Sequence, residues 1–274
     1  MLLKVRKFLV RLFLPVLLAC LWQFIAVSMG KPMILPRLDA VAEVLAHPTT
    51  KILITGSLLD NTIISLTRVM LGFFLAAGIS IPLGLAMGYF PAINRFFNSS
   101  VETLRPIPPL AWVPLILAWF GIKGLADIIP PLAANPIFAG IQFSTVLIIF
   151  IGAVFPILLN TIQGVKNIPV EYLESARTLG ARNFSILLKV IIPASLPLIV
   201  TGLRIGLGIG WMCLVAAEMM PGSSSGLGYL IWYAYELLRA DIIVAGMAVI
   251  GMIGLVMDRG FRIIEKKMHW SNKL

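Results

Sequence analysis

Apolar residues gather in six runs along the chain, at about Leu12–Met29, Val69–Phe90, Leu110–Phe120 with its flanks, Phe143–Asn160, Leu196–Ala217 and Ile242–Met257. A bilayer core calls for about 20 apolar residues per helix, so the pattern predicts an all-α polytopic membrane fold of about six spans. The third run is short and crowded with Pro106, Pro108, Pro109 and Pro114. It should start distorted, or buried against other helices. The sixth is also short, and five spans is the alternative count.

Composition agrees with that pattern. Of 274 residues, 59% are hydrophobic and 12% charged, about half the roughly 25% charge of a soluble domain. A soluble enzyme, a nucleic-acid-binding module and a disordered tail are excluded. The net charge of +10 becomes informative only by position. With the N-terminus in the cytoplasm, fifteen of the 22 basic residues fall in segments on the inner side, among them Lys4, Arg6, Lys7, Arg11, Arg95, Arg105, Lys166, Arg182 and Lys267. Basic residues favour cytoplasmic loops, so both termini are expected inside, against an anionic lipid surface. Leu17-Leu18-Ala19-Cys20 resembles a lipoprotein cleavage box, but the apolar run continues to Val27. That is longer than a signal core, and an uncleaved anchor is expected.

The organisation that follows is a cytoplasmic tail and first anchor over 1–30, an external linker over 31–56, a transmembrane core over 57–265 and a cytoplasmic tail over 266–274. Cys20 and Cys213 are far apart in apolar runs, and His47 and His269 have no ligand-spaced neighbours. Neither a disulfide framework nor a metal site is expected.

Within the spans, small residues recur at every fourth position: Gly72, Ala76, Ser80, Gly84 and Gly88 in the second, Gly202, Gly206 and Gly210 in the fifth. Such grooves let helix backbones approach closely, within the chain or, as the alternative, at a seam between two copies. Pro82 should kink the second span. The charged residues in or at the rims of spans are Arg68, Arg204, Glu218 and Asp258. An intramembrane charge marks a pathway or finds a partner on another helix; Arg68 with Glu218, and Arg204 with Asp258, are the pairs to test. The spans lack the serial Asp, Glu or His of a proton relay.

The connection from Gln163 to Ala194 is too polar for lipid. Asn167 ahead of Pro169 reads as a helix start, with Glu171 and Glu174 complementing the helix dipole. Tyr172, Leu173, Ala176 and Leu179 form an apolar side, and Gly180 ends the helix. A second amphipathic helix carries Phe184, Leu187, Leu188 and Ile191, and Pro193 and Pro197 lead into the fifth span. Helices this short do not persist alone in water. They need a docking surface, either a partner protein or the lipid interface.

Glu174-Ser175-Ala176, then Gly180, then Val190, Ile192 and Pro193 match the spacing EAA-x3-G-x9-I-x-L-P, with Ser175 in place of an alanine. This resembles the permease subunits of binding-protein-dependent ABC importers. Ser65-Leu66-Thr67-Arg68, the stretch Arg105-Pro106-Ile107-Pro108-Pro109-Leu110-Ala111-Trp112 and Ala217-Glu218-Met219 with Gly226-Leu227-Gly228 are similar to the nitrate/sulfonate/taurine branch. The resemblance implies a type I ABC importer permease fold and two copies of the chain lining a path. It also implies a cytoplasmic ATP-binding subunit that holds ATP and Mg, an extracytoplasmic substrate-binding protein, and no cofactor or nucleic acid on this chain. The solute would be small and anionic, such as nitrate, a sulfonate or taurine, or bicarbonate. It assigns ATPase coupling to Glu171, Glu174, Ser175, Ala176, Leu179, Gly180, Ala181 and Pro193, within a loop over 164–193. The chain has no GxxxxGK[ST] phosphate loop of its own. The stretch Ile122–Gln142, with Pro130, Pro131 and Pro136, is longer than the family pattern. An ATP-independent carrier or channel is the alternative function, and it would need charged or broken helices at mid-bilayer.

Overall fold

The computed structural model describes residues 2–53, 56–121, 123–124, 141–220 and 222–271. In chain order the elements are α1 (Leu2–Met29), α2 (Leu38–Ala46), a two-stranded antiparallel ribbon of β1 (Lys51–Leu53) and β2 (Gly56–Ser57), α3 (Leu58–Tyr89), α4 (Pro91–Leu104), a 3₁₀ turn (Pro109–Trp112), α5 (Val113–Phe120), α6 (Phe143–Lys166) and α7 (Val170–Thr178). The long helix α8 (Asn183–Glu218) follows, then α9 (Leu227–Glu236) and α10 (Ala240–Ser271). Among the described residues α3, α6, α8 and α10 are long and apolar enough to cross a membrane. The expected loop at Ile122–Gln142 lies almost wholly outside the described residues.

The centre of the fold is α6, held between α3 and α8, and the small residues explain how. A Cβ on Gly72 would sit 2.6 Å from the Ile149 side chain, and one on Gly84 2.7 Å from Thr161. Between them Ala76 is fully buried, and Ser80 Oγ donates to the Val154 carbonyl at 3.1 Å. On the opposite flank, a Cβ on Gly202 would lie 2.7 Å from Asn160, one on Gly206 2.8 Å from Ile157 and one on Gly210 3.3 Å from Ile149. Both grooves therefore face the same helix of the same chain, and only residues without bulk permit the approach.

Helix α3 starts at Leu58, well before the apolar run at Val69 that the sequence suggested. The cause is a capping box. Ser57 Oγ accepts the Asp60 N–H at 3.1 Å, and Asp60 Oδ2 accepts the Ser57 N–H at 3.1 Å, which satisfies two otherwise orphaned donors. Polar residues such as Asn61 and Ser65 thus lie on the first turns of the span. The helix continues through Pro82 to Tyr89.

The third apolar run, expected at Leu110–Phe120, is part of a longer, broken segment. The segment 91–109 is not a loop: α4 leaves the Tyr89 end of the bundle, and its Val101 packs in one cluster with Met87, Leu158 and Ile162. After the 3₁₀ turn, Val113 and Ile116 pack with Ile148, Cys213 and Ala217. Phe120 then meets Phe143 edge-on at 5.1 Å. Residues 91–120 therefore traverse the bundle as one helix broken between Leu104 and Pro109. The polar face of α4 pulls its mean hydropathy below that of a lipid-facing span, so the apolar run begins only at Leu110.

Candidate functional site

The strongest candidate is the corner at the α6–α8 junction. The Asn167 N–H bonds to the Gln163 carbonyl at 3.0 Å, and Asn167 Oδ1 accepts from Gln163 Nε2 at 2.7 Å. Asn167 therefore closes α6 rather than starting the next helix. The start is set instead by Pro169 in the N-cap position, with φ −57°, a value its ring fixes. At the other end of α7, Gly180 N–H bonds to the Arg177 carbonyl at 2.9 Å and Ala181 N–H to the Ala176 carbonyl at 3.0 Å. This 5→2 and 6→1 pair is a Schellman turn. Gly180 sits at φ +77°, where only glycine is free of strain.

The second amphipathic helix is not separate from the fifth span, as the sequence suggested. Both belong to α8. Pro193 has no N–H to offer the Lys189 carbonyl, and the ladder shifts by one: Ile192 N–H bonds to the Leu187 carbonyl. Leu187–Ile191 form a π turn that joins the corner rigidly to the membrane helix, with Pro193 just beyond it.

Two faces of the corner differ. Leu173, Ala176 and Ala181 rest on a cluster of Leu85, Val165, Ile168, Ile186, Ile191 and Ile199. Outward point Val170, Tyr172, Phe184 and, at 87% exposure, Leu179. Glu171, Glu174 and Ser175 are exposed on the same outward side. The result is a seated knob with an uncovered apolar tip, flanked by exposed charges of both signs, Glu171 and Glu174 with Arg177 and Arg182.

At the opposite end of the bundle, Arg68 and Glu218 are both fully buried and paired, Nη1 to Oε1 at 2.9 Å. Glu218 also receives Ser65 Oγ at 2.8 Å and the Gly228 N–H at 3.0 Å. Arg68 Nη1 donates to the Ser225 carbonyl at 2.7 Å and Nη2 to Ser225 Oγ at 3.0 Å. Gly226, at φ +109°, brings its backbone so close that a Cβ would collide with the Glu218 carboxylate. Its N–H donates to Asn61 Oδ1 at 2.7 Å. Sequence reasoning found the ion pair but missed Asn61, Ser65, Ser225 and Gly228. Ser65 and Gly228 stand within the family-like stretches Ser65-Leu66-Thr67-Arg68 and Gly226-Leu227-Gly228, but nothing there marks them as partners of Glu218.

Arg204 lies between α8 and α10, 3.4 Å from Asp258 Oδ1 and 3.4 Å from Glu265 Oε2. Asp258 is held more closely by Arg262 at 2.6 Å, and Thr201 Oγ1 donates to Glu265 at 2.6 Å. Arg204 is thus one member of a charge-balanced network, of which the sequence suggested one contact.

Residues 78–270 match the family described as binding-protein-dependent transport system inner membrane component. A protein of Methanocaldococcus jannaschii, provisionally described as an ABC transporter permease, is 53% identical over 262 residues, covering 96% of this chain and 91% of its own length. The taurine transport system permease protein TauC of Escherichia coli is 34% identical over 256 residues, 93% of this chain and 86% of its own. Further relatives are named for bicarbonate transport and for nitrate import. In fold, the chain is similar to an inward-facing structure of the MetNI methionine ABC transporter, with TM-score 0.62 at 18% identity over 77% of this chain and 95% of that one. The chain therefore belongs to the inner membrane components of binding-protein-dependent transport systems, as a multi-pass permease subunit of an ABC importer.

Proposed function

We propose that this permease moves a small solute bearing an anionic group, driven by an ATP-binding subunit that docks on the α7–Gly180–α8 corner. Relatives named for taurine, bicarbonate and nitrate support the solute class. The basic residues around the corner support a cytoplasmic placement for it and for both termini, with six crossings: α1, α3, α4–α5, α6, α8 and α10. ATP and Mg are held by the partner subunit. A binding protein delivers solute at the end that carries Glu218, and two copies of this chain form the assembly.

The observation that carries this reading is the knob itself: a helix end seated on the bundle by Leu173 and Ala176 yet exposing Leu179, Tyr172 and Phe184. The exposed charges beside the apolar tip carry both signs, Glu171 and Glu174 with Arg177, Arg182 and Lys189, and the EAA-like spacing of Glu174, Ser175, Ala176 and Gly180 favours a cleft in a partner protein over lipid. Because α8 is continuous from Asn183 to Glu218, a push on the corner moves the fifth span as a lever and shifts the balance between inward and outward access. Glu174 supplies polar contact to the ATPase, and Gly180 supplies the turn.

Gly180→Leu tests this. A Cβ at Gly180 meets nothing within 4 Å, so the change places bulk on the tip and adds about 1–2 kcal/mol of left-handed strain. Membrane insertion should persist while ATPase activity stimulated by the binding protein is lost. Gly180→Asn, which tolerates this φ, should retain most of it. Stimulation that survives Gly180→Leu would remove the coupling role from the corner.

A further inference from the structure

The broken third crossing has a polar stripe that the transport reading above leaves unused. Arg95, Asn98, Glu102 and Arg105 are spaced three, four and three residues apart, which puts them on one side of α4. Asn98 Nδ2 donates to Glu102 Oε1 at 2.7 Å, and Arg95, Glu102 and Arg105 are exposed. Ile93, Phe97, Val101 and Leu104 form the other side, with Ile93 and Val101 in the cluster packed against Leu158 and Ile162.

Depth decides what this stripe faces. Val101 lies beside Leu158 and Ile162, and Val113 beside Ile148. Arg105 and the break after it therefore lie near the middle of α6, a 24-residue helix about 36 Å long at 1.5 Å per residue. Charged side chains at that depth do not face lipid. Nor does the backbone there, because the residues four beyond Glu102 and Arg105 are Pro106 and Pro109, which have no N–H to give those two carbonyls. Irregular backbone in a membrane is tolerated only inside protein or against water. No part of the described chain covers the stripe. A two-fold related copy would present an identical stripe, and each carries two arginines against one carboxylate. Among the described residues neither arginine has a salt bridge. Even if each Glu102 pairs with an arginine across the seam, one arginine per copy is left without a carboxylate, and a dry interface would strand its charge.

We propose that the 95–105 stripe lines a water-filled path between two copies, and that Arg105, at the break, is the residue that meets the anionic group of the solute in transit. This rests on the permease reading given above and adds to it the place and chemistry of solute contact. The break frees α4's last turn, so Arg105 projects where the path is farthest from both membrane surfaces.

The test uses the full chain in proteoliposomes with its ATPase subunit, in a Cys20→Ser background, with Asn98→Cys as reporter. Two methanethiosulfonate reagents, one sulfonate and one trimethylammonium, are compared for their rates of reaction at position 98. Both should react. With the charges about 10 Å apart in water, Arg105→Gln should lower the anionic-to-cationic rate ratio about fourfold, and Arg105→Lys should leave it unchanged. No reaction with either reagent would mean that the stripe is sealed against protein and would overturn the path. An unchanged ratio in Arg105→Gln would overturn the role of Arg105. Labelling is read on this chain whether or not an ATPase co-purifies, so this inference and the permease reading fail separately.

Discussion

Glu218→Gln isolates the electrostatic part of the buried lock between α3, α8 and α9. The substitution keeps the shape of the side chain and removes its charge. In the native structure the carboxylate accepts from Ser65, Arg68 and the Gly228 N–H. A carboxamide has one oxygen, so one of these donors must then face an N–H. The guanidinium of Arg68, fully buried, loses its charged partner while its bonds to Ser225 remain. Removing one partner of a buried ion pair costs about 3–5 kcal/mol. Cys213, 5% exposed, provides the assay, because in a Cys20→Ser background a thiol-reactive fluorophore reports its release on heating. At about 2–4 °C per kcal/mol, the midpoint should fall by at least about 6 °C. The double variant Arg68→Met with Glu218→Gln should recover part of that loss, since no charge is left stranded. A fall below about 2 °C, or a double variant no more stable than Glu218→Gln alone, would show that the pair is hydrated and that its burial is not what holds this end together.

Two further substitutions probe the packing and the start of α3. Gly206→Leu places a side chain where Ile157 lies 2.8 Å and the Ala153 carbonyl 3.1 Å from the new Cβ, whereas Gly208 has open space. Gly206→Leu should lower the melting midpoint by an amount matching about 1–3 kcal/mol of overpacking or more, while Gly208→Leu stays near the parent; equal behaviour of the two would refute the groove. Ser57→Ala removes the side-chain half of the capping box and should destabilise the start of α3 by about 1 kcal/mol. Faster hydrogen exchange of the amides at 58–61, restored by Ser57→Thr, is the measurement.

Much of this architecture is legible without coordinates because membranes impose strong rules. A small residue at every fourth place has one plain physical use, close approach of another backbone, and Gly72, Gly84, Gly202 and Gly206 all make it against α6. A charge in a span must meet its opposite, which leaves few candidates for Arg68. What the sequence does not show is which polar neighbours complete the shell. Ser65 and Gly228 reach Glu218 from 153 residues upstream and ten downstream, and nothing local in either segment marks it as a donor. The corner behaves similarly. Gly180 announces its own turn through its need for a positive φ, but the continuity of α8 through Pro193 depends on a one-residue shift of the ladder that propensity does not foresee.

The broken segment 91–120 was hidden for a different reason. Windowed hydropathy measures fitness for lipid on all sides of a helix. In this fold α6 satisfies it because it is apolar on every side, packed between α3 and α8, and α10 because its exposed face is apolar too. α4 fails it, since one side packs on Leu158 and Ile162 while the other carries Arg95, Asn98, Glu102 and Arg105. Averaging over a window erases amphipathicity of this kind. The proline cluster at 106–109 compounds the effect by ending the helical period before the apolar half begins at Leu110. An amphipathic helix joined through prolines to a short apolar one is therefore a segment that hydropathy is least able to register, and that pattern is itself a signal to look for.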